Sequence, residues 1–178
     1  LIDFSRNHFD LLGLPLRYTV DPARLEHGYR ELQSQVHPDK FAAATEAERR
    51  VAMQWATRAN EAYRTLRDPL ERARYLLRLK GYDTEEESNT AMPPDFLMQQ
   101  MEWREAAAEA RRGHDAAALH RLRDDLAIAH RDMLALLARA LDSDKNFDAG
   151  CSLVRKLRFL EKLEEEIEDA LEPGEGAH

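Results

Sequence analysis

The spacing of apolar residues between 119 and 140 constrains this chain more than any other feature of its sequence. Leu119, Leu122, Leu126, Ala129, Met133, Leu136 and Ala140 follow one another at intervals of three and four. That interval places all seven on one stripe of an α-helix, and a stripe of that length is the seam of an antiparallel bundle. No stretch of the chain alternates apolar and polar residues in the manner of a strand, and there is no internal repeat. Ala, Leu, Glu and Arg dominate the composition, and these are strong helix formers. The expected class is therefore all-α.

At 178 residues the chain has room for one domain or two small ones. Two helical blocks are expected, over 1–80 and 93–172. An acidic, aperiodic linker at 81–92 separates them, and a Gly-rich tail at 173–178 is expected to fray. In the first block Phe9, Leu11, Leu12 and Leu14 form a short apolar cluster ending near Gly13. Asp21 and Pro22 then open a helix whose buried face is Leu25, Tyr29, Leu32 and Val36. That helix should stop at His37, because the residue before a proline is pushed out of helical dihedrals. Thr45 and Glu48 have capping-box spacing ahead of Val51, Trp55, Ala59, Ala62 and Leu66. Asp68-Pro69 starts a further helix that buries Leu70, Ala73, Leu76 and Leu77, with Glu71 placed to reach back to the cap and Gly81 as terminator. Three helices follow Pro93-Pro94. The second is capped by Asp115. The last carries Leu153, Leu157, Leu160, Ile167 and Leu171 on one side, and Ser143 to Asn146 turn into it.

Charge and cysteine usage narrow the function classes. A formal net charge of −8 argues against nucleic acid as the main partner. There is no apolar run of membrane-spanning length and no signal peptide, so no membrane partner is expected. The lone Cys151 cannot form an internal disulfide and points to a reducing, cytoplasmic setting. The histidines show no familiar metal-ligand spacing, and no Ser or Cys stands beside an activating base, so neither a metal, a cofactor nor an enzyme site is expected.

One motif stands out, His37-Pro38-Asp39. By itself the tripeptide reads as a helix-ending turn. Its context is more specific. It lies between two amphipathic helices, followed by Lys40-Phe41, with Asn-x-Ala-Tyr-x-x-Leu at Asn60 to Leu66. This arrangement resembles a J-domain over residues 8–80. The resemblance implies that His37, Pro38, Asp39 and Lys40 touch the ATPase domain of a DnaK-type chaperone. The helix before the loop would present Arg24 and Arg30, although Glu31, Ser34 and Gln35 make that face only weakly basic.

In the second block Phe96, Gln100, Trp103, Ala107 and Ala110 fall on one side of a helix, while Leu97, Met98 and Met101 lie off that side, bordered by Glu102, Arg104 and Glu105. Pattern alone allows two readings of this second face, extra core or a Met-containing binding patch. Phe159 sits about 110° off the buried stripe of the last helix and is able to join the same surface. Arg155, Arg158 and Lys162 read as a solvated basic stripe paired with nearby Glu residues.

The segments Phe96-Leu-Met-x-Gln, Glu102-x-Arg-Glu and Val154-Arg-Lys-Leu-Arg-Phe-Leu-x-Lys-Leu resemble the C-terminal domain of the HscB family. With the J-like block, the resemblance spans residues 9–163. It implies a co-chaperone that binds the iron–sulfur scaffold IscU through Leu97, Met98, Met101, Glu102, Arg104, Glu105 and Phe159 and delivers it to the DnaK-type chaperone HscA. A helical adaptor in which the tripeptide is only a turn, and a general J-protein that presents unfolded clients, are the other readings.

Overall fold

The structure, a computed structural model, describes residues 6–41, 43–86 and 92–172, and of Pro38 the backbone alone. The expected tail at 173–178 and part of the expected linker, 87–91, lie outside the described residues. The described residues form helices and connections with no strand, and the chain divides into two units, Leu1–Gly81 and Tyr82–His178.

The first unit has four α-helices: α1 (His8–Leu11), α2 (Pro22–Val36), α3 (Glu46–Arg67) and α4 (Pro69–Leu79). Local chemistry sets their ends. The Asp21 carboxylate accepts from the amide of Ala23, with Pro22 at the first turn of α2. Thr45 and Glu48 form the full capping box that starts α3. Asp68 closes α3 and opens α4 together. Its amide donates to the Arg64 carbonyl while its carboxylate accepts from Leu70 and Glu71. Because the Asp68 amide is already used, Glu71 does not reach back to it and instead pairs with Arg74 at 2.6 Å. Gly81, at φ +84°, ends the unit in a conformation that costs a side-chain-bearing residue.

Cross-helix pairs show that α2 and α3 run antiparallel. Tyr29 contacts Asn60 and Glu26 contacts Tyr63, so numbers fall on one helix as they rise on the other. Leu25, Leu32 and Val36 are buried from α2. Tyr29, expected on that face, is only half-buried, stacked on Tyr63 at 4.2 Å with its hydroxyl on Asn60. From α3 the buried set is Ala52, Trp55, Ala59, Ala62 and Leu66, whereas Val51 is exposed. Val51 and Ala52 flank the stripe at about 50° on either side, so periodicity does not choose between them. Gly28 lies in the middle of α2 because the Leu12 backbone passes there, and a Cβ would stand 2.1 Å from the Leu12 carbonyl oxygen. His8 stacks on Tyr75 at 4.3 Å, and its buried Nδ1 has no partner among the described residues. Burial pushes its pKa below the ordinary value, with Arg58 adding to the effect and Glu61 opposing it.

The second unit is a three-helix bundle of α5 (Pro94–Arg112), α6 (Ala116–Ala138) and α7 (Phe147–Leu171). A π-helical turn, Arg139–Ser143, extends α6 through the start of the turn expected at Ser143. Asp115 and Asn146 cap α6 and α7 through the amides of Ala118 and Ala149. The core comprises Phe96, Ala107 and Ala110 from α5, Leu119, Leu122, Leu126 and Leu137 from α6, and Val154, Leu157, Leu160, Leu163 and Ile167 from α7. Leu153 and Leu171 are half-buried at its margin. Leu136, expected on the seam, is exposed, and Leu137 replaces it. Measured from the midline of Leu119, Leu122 and Leu126, Leu136 lies about 70° away and Leu137 only about 30°, so the helix turns Leu137 inward. Of the expected linker, residues 82–86 belong to this unit. Tyr82 meets Phe147 at 5.2 Å, and Arg155 donates to the Thr84 carbonyl at 3.0 Å. Arg155 is thus spent on a carbonyl rather than on a Glu, while Arg158 does reach Glu161 at 3.5 Å.

Candidate functional site

The singled-out residues fall in two places, one in each unit. The first is the connection between α2 and α3. Pro38 bars helical dihedrals at His37, which takes φ −61° and ψ 133° and ends α2. A single 3-10 turn, Pro38–Phe41, follows, closed by the Lys40 amide on the His37 carbonyl at 3.0 Å. His37 Nδ1 accepts from the Asp39 amide at 3.3 Å, an arrangement that puts the proton of the neutral ring on Nε2. The same nitrogen is 3.5 Å from Asp39 Oδ2. The Asp39 side chain is 91% exposed. It is held near the turn yet open to an outside donor, the geometry needed for a charge-assisted bond to a guanidinium.

On the exposed face of α2 the two arginines differ. Arg30 Nε is 2.8 Å from Glu26, whose carboxylate also accepts from the Tyr63 hydroxyl at 2.6 Å. The Tyr63 hydroxyl, and then Arg30, hold the Glu26 carboxyl below the usual range, and the Tyr63 hydroxyl is raised in turn. Arg24 has no carboxylate at ion-pair distance among the described residues. The unpaired cationic character of this face therefore rests on Arg24 more than on Arg30, with Lys40 adding charge from the turn beyond the helix. His27 stands 4.0 Å from Glu31 on the same face.

The second place is α5. Its Phe96 side faces the core, whereas Leu97, Met98 and Met101 are 43%, 64% and 71% exposed, so this second face is not core. Burying such side chains is worth about 1.5–3 kcal/mol each, stabilisation that the unit forgoes. Glu102, Arg104 and Glu105 are exposed beside them, and Glu102 accepts from Gln99 at 3.2 Å. Phe159 does not stand among them as a free ring. It is half-buried against the core, edge-on to Phe96 at 6.0 Å and 84°, and it lies under the Arg104 guanidinium at 5.3 Å. Sequence reasoning missed Lys156, whose ammonium is 5.2 Å from the Phe96 ring centre. Spacing along α5 carries no signal for it, since it comes from α7.

Other chemistry is sparse. Among the described residues no group of three or more His, Cys, Asp or Glu is arranged to hold a metal, and no helix is long and apolar enough to cross a membrane. Cys151 is buried, and burial pushes its thiol up, which keeps it protonated.

Known proteins share this arrangement. Residues 92–168 match the family model described as the HSCB C-terminal oligomerisation domain. A co-chaperone HscB homologue of Aromatoleum aromaticum is 50% identical over 96% of this chain and 97% of its own length. One from Paraburkholderia xenovorans is 51% identical over 97% and 98%. Among solved structures, human co-chaperone HscB superposes with a TM-score of 0.86 at 30% identity, covering 94% of this chain and 83% of that one. HscB of Vibrio cholerae gives 0.77 at 38% identity over 92% and 96%. The first unit is thus a J-domain and the second a C-terminal helical domain, and the chain belongs to the HscB co-chaperone family.

Proposed function

We propose that this chain binds an IscU-type iron–sulfur scaffold protein, delivers it to a specialised DnaK-type chaperone of the HscA kind, and stimulates the ATPase of that chaperone, so promoting cluster transfer. The observation that carries this reading is the exposed apolar face of α5. Leu97, Met98 and Met101 lie together on one face of α5 turned from the bundle core, and charge borders them on the same helix. Such a patch is a protein-docking surface, and its methionines adapt to a partner's contour. Glu102, Arg104 and Glu105 supply the polar rim, and Phe159 supports Arg104 from below.

The J-domain supplies the second contact. His37, Pro38 and Asp39 form a short turn whose backbone is restricted by the proline, so docking orders little. Asp39 offers its carboxylate to a basic group on the ATPase, and Lys40 with Arg24 offers charge of the other sign. These contacts act on the chaperone's conformation, and the chain contributes no group to hydrolysis. The iron stays with the scaffold, since this chain has one cysteine where a cluster normally takes four ligands. The reducing cytoplasm suits that lone thiol.

Steady-state ATPase assays test the reading. Added to a DnaK-type chaperone of the HscA kind, the chain raises the rate, and adding folded scaffold raises it further. A helical adaptor gives no change, and a general J-protein gives the further rise with unfolded peptides as well.

A further inference from the structure

The aromatic pair beneath the α5 face holds two cations, not one. Arg104 lies over Phe159 at 5.3 Å and Lys156 over Phe96 at 5.2 Å, while the two rings meet edge to face. The ring pair links Lys156 to Arg104, and Arg104 stands only about 20° from Leu97 around α5. Neither cation has a carboxylate at ion-pair distance among the described residues, whereas Arg158, two residues along α7, pairs with Glu161. The order of groups around α5 gives the arrangement meaning. Taking Phe96 as origin, Arg104 falls near ~80°, Leu97 near ~100°, Met101 near ~140°, Glu105 near ~180°, Met98 near ~200° and Glu102 near ~240°. The exposed face is therefore cationic on the edge beside α7, and its carboxylates lie on the other side, one on each flank of Met98.

We propose that Lys156, together with Arg104, forms the cationic rim of this docking face, and that the docked scaffold sets a carboxylate against that rim with apolar side chains across Leu97, Met98 and Met101. The inference rests on the reading of α5 as the scaffold-docking surface and adds to it a residue from another helix and a polarity. An ammonium held on a ring face is partly desolvated and loses little freedom on docking. A rim charge acts mainly on encounter, through the association rate and its dependence on salt. Glu102 and Glu105 on the other side repel a partner that arrives reversed, so the polarity fixes orientation.

Association kinetics of the full chain with purified IscU-type scaffold, measured at low and high salt, test this. Lys156→Glu slows association about tenfold and Lys156→Met about threefold at low salt, and Lys156→Arg stays near wild type. These differences shrink as added salt screens the rim. Melting temperatures accompany each variant. Should Lys156→Glu destabilise the bundle, the Met and Arg variants carry the test, because both keep an aliphatic stem over Phe96. Wild-type association rates and salt dependence in Lys156→Glu and Lys156→Met, with binding lost in the Leu97/Met98/Met101→Ala variant, overturn the inference and leave the docking face standing. Unchanged binding in that triple variant overturns the docking face and the inference with it.

Discussion

On the proposed function, the two units solve the problem of recognition in opposite ways. The J-domain's proposed chaperone contacts lie on an irregular connection, where polar atoms of neighbouring residues hold one another: the His37 ring on the Asp39 amide, the Lys40 amide on the His37 carbonyl. The C-terminal domain's proposed docking groups lie in the N-terminal turns of an unbroken helix and rely on apolar area. A turn concentrates specificity in one or two atoms, so a single atomic change should silence it. A helix face spreads its contribution, so truncations there should act by degrees.

That contrast is open to direct attack. The largest expected effect is Asp39→Asn, an isosteric change of one charge. We expect ATPase stimulation to fall to the basal rate while scaffold binding and melting stay at wild-type values, and undiminished stimulation would remove the loop from the mechanism. Next is the triple truncation Leu97/Met98/Met101→Ala, expected to cost about 2–4 kcal/mol of scaffold affinity by calorimetric titration. Its melting temperature should hold, since truncating buried residues would cost about 2–5 kcal/mol each. A collapse in melting would make these residues core after all. Third, Gly28→Ala drives a Cβ into the Leu12 carbonyl and should cost the J-domain about 1–3 kcal/mol in denaturant melts, with scaffold affinity unchanged. A parallel loss of affinity would mean that the units do not act separately. Asp68→Ala removes the acceptor for two amides at the α3–α4 corner, and about 1 kcal/mol is expected by the same measurement.

The smallest effect concerns pH. In the folded J-domain His8 resists protonation, while in the unfolded chain it takes a proton near the ordinary 6.5. Its contribution to stability is therefore complete above that value and drains away as pH falls below it. Half-buried Glu26 and exposed Glu48, with lowered pKa values, add their own acid sensitivity further down. The useful quantity is thus the difference between wild type and His8→Phe, which keeps a ring against Tyr75 and has no proton to gain. Melting from about pH 7.5 to about pH 5 should show the wild type losing more. Parallel curves would mean that burial at His8 is too slight to matter.

Features settled between near neighbours along the chain are legible from the order of residues alone. Asp21, Thr45 with Glu48, Asp68 and Asp115 all cap where their spacing indicates, because a cap is a bond across two or three residues. Features that depend on a second element are not. Ala52 and Val51 are equivalent by angle, and the choice belongs to the surroundings of α3. Glu71 has no cap role because α3 already takes the Asp68 amide. Gly28 carries no pattern at all until the Leu12 backbone lies over it. The second face of α5 is visible as a face, but whether it is covered is a matter for α6 and α7. Phe159 and Lys156 show the same limit: their roles come from groups on α5 that sequence distance hides.

The placement of the indoles has a practical reach of its own. The chain has two tryptophans, and each unit holds one. Trp55 is sealed in the J-domain core, 2% exposed, while Trp103 is half-buried on α5, edge-on to Phe96 at 6.3 Å. The molecule thus carries a separate intrinsic fluorophore for each half. Emission from Trp55 reports whether the J-domain is folded, and Trp103, one aromatic contact from the proposed scaffold face, should change its emission when that face is covered. Replacing either indole by phenylalanine would give a label-free optical channel for the other, so unfolding of one half and occupancy of the other become readable in one cuvette.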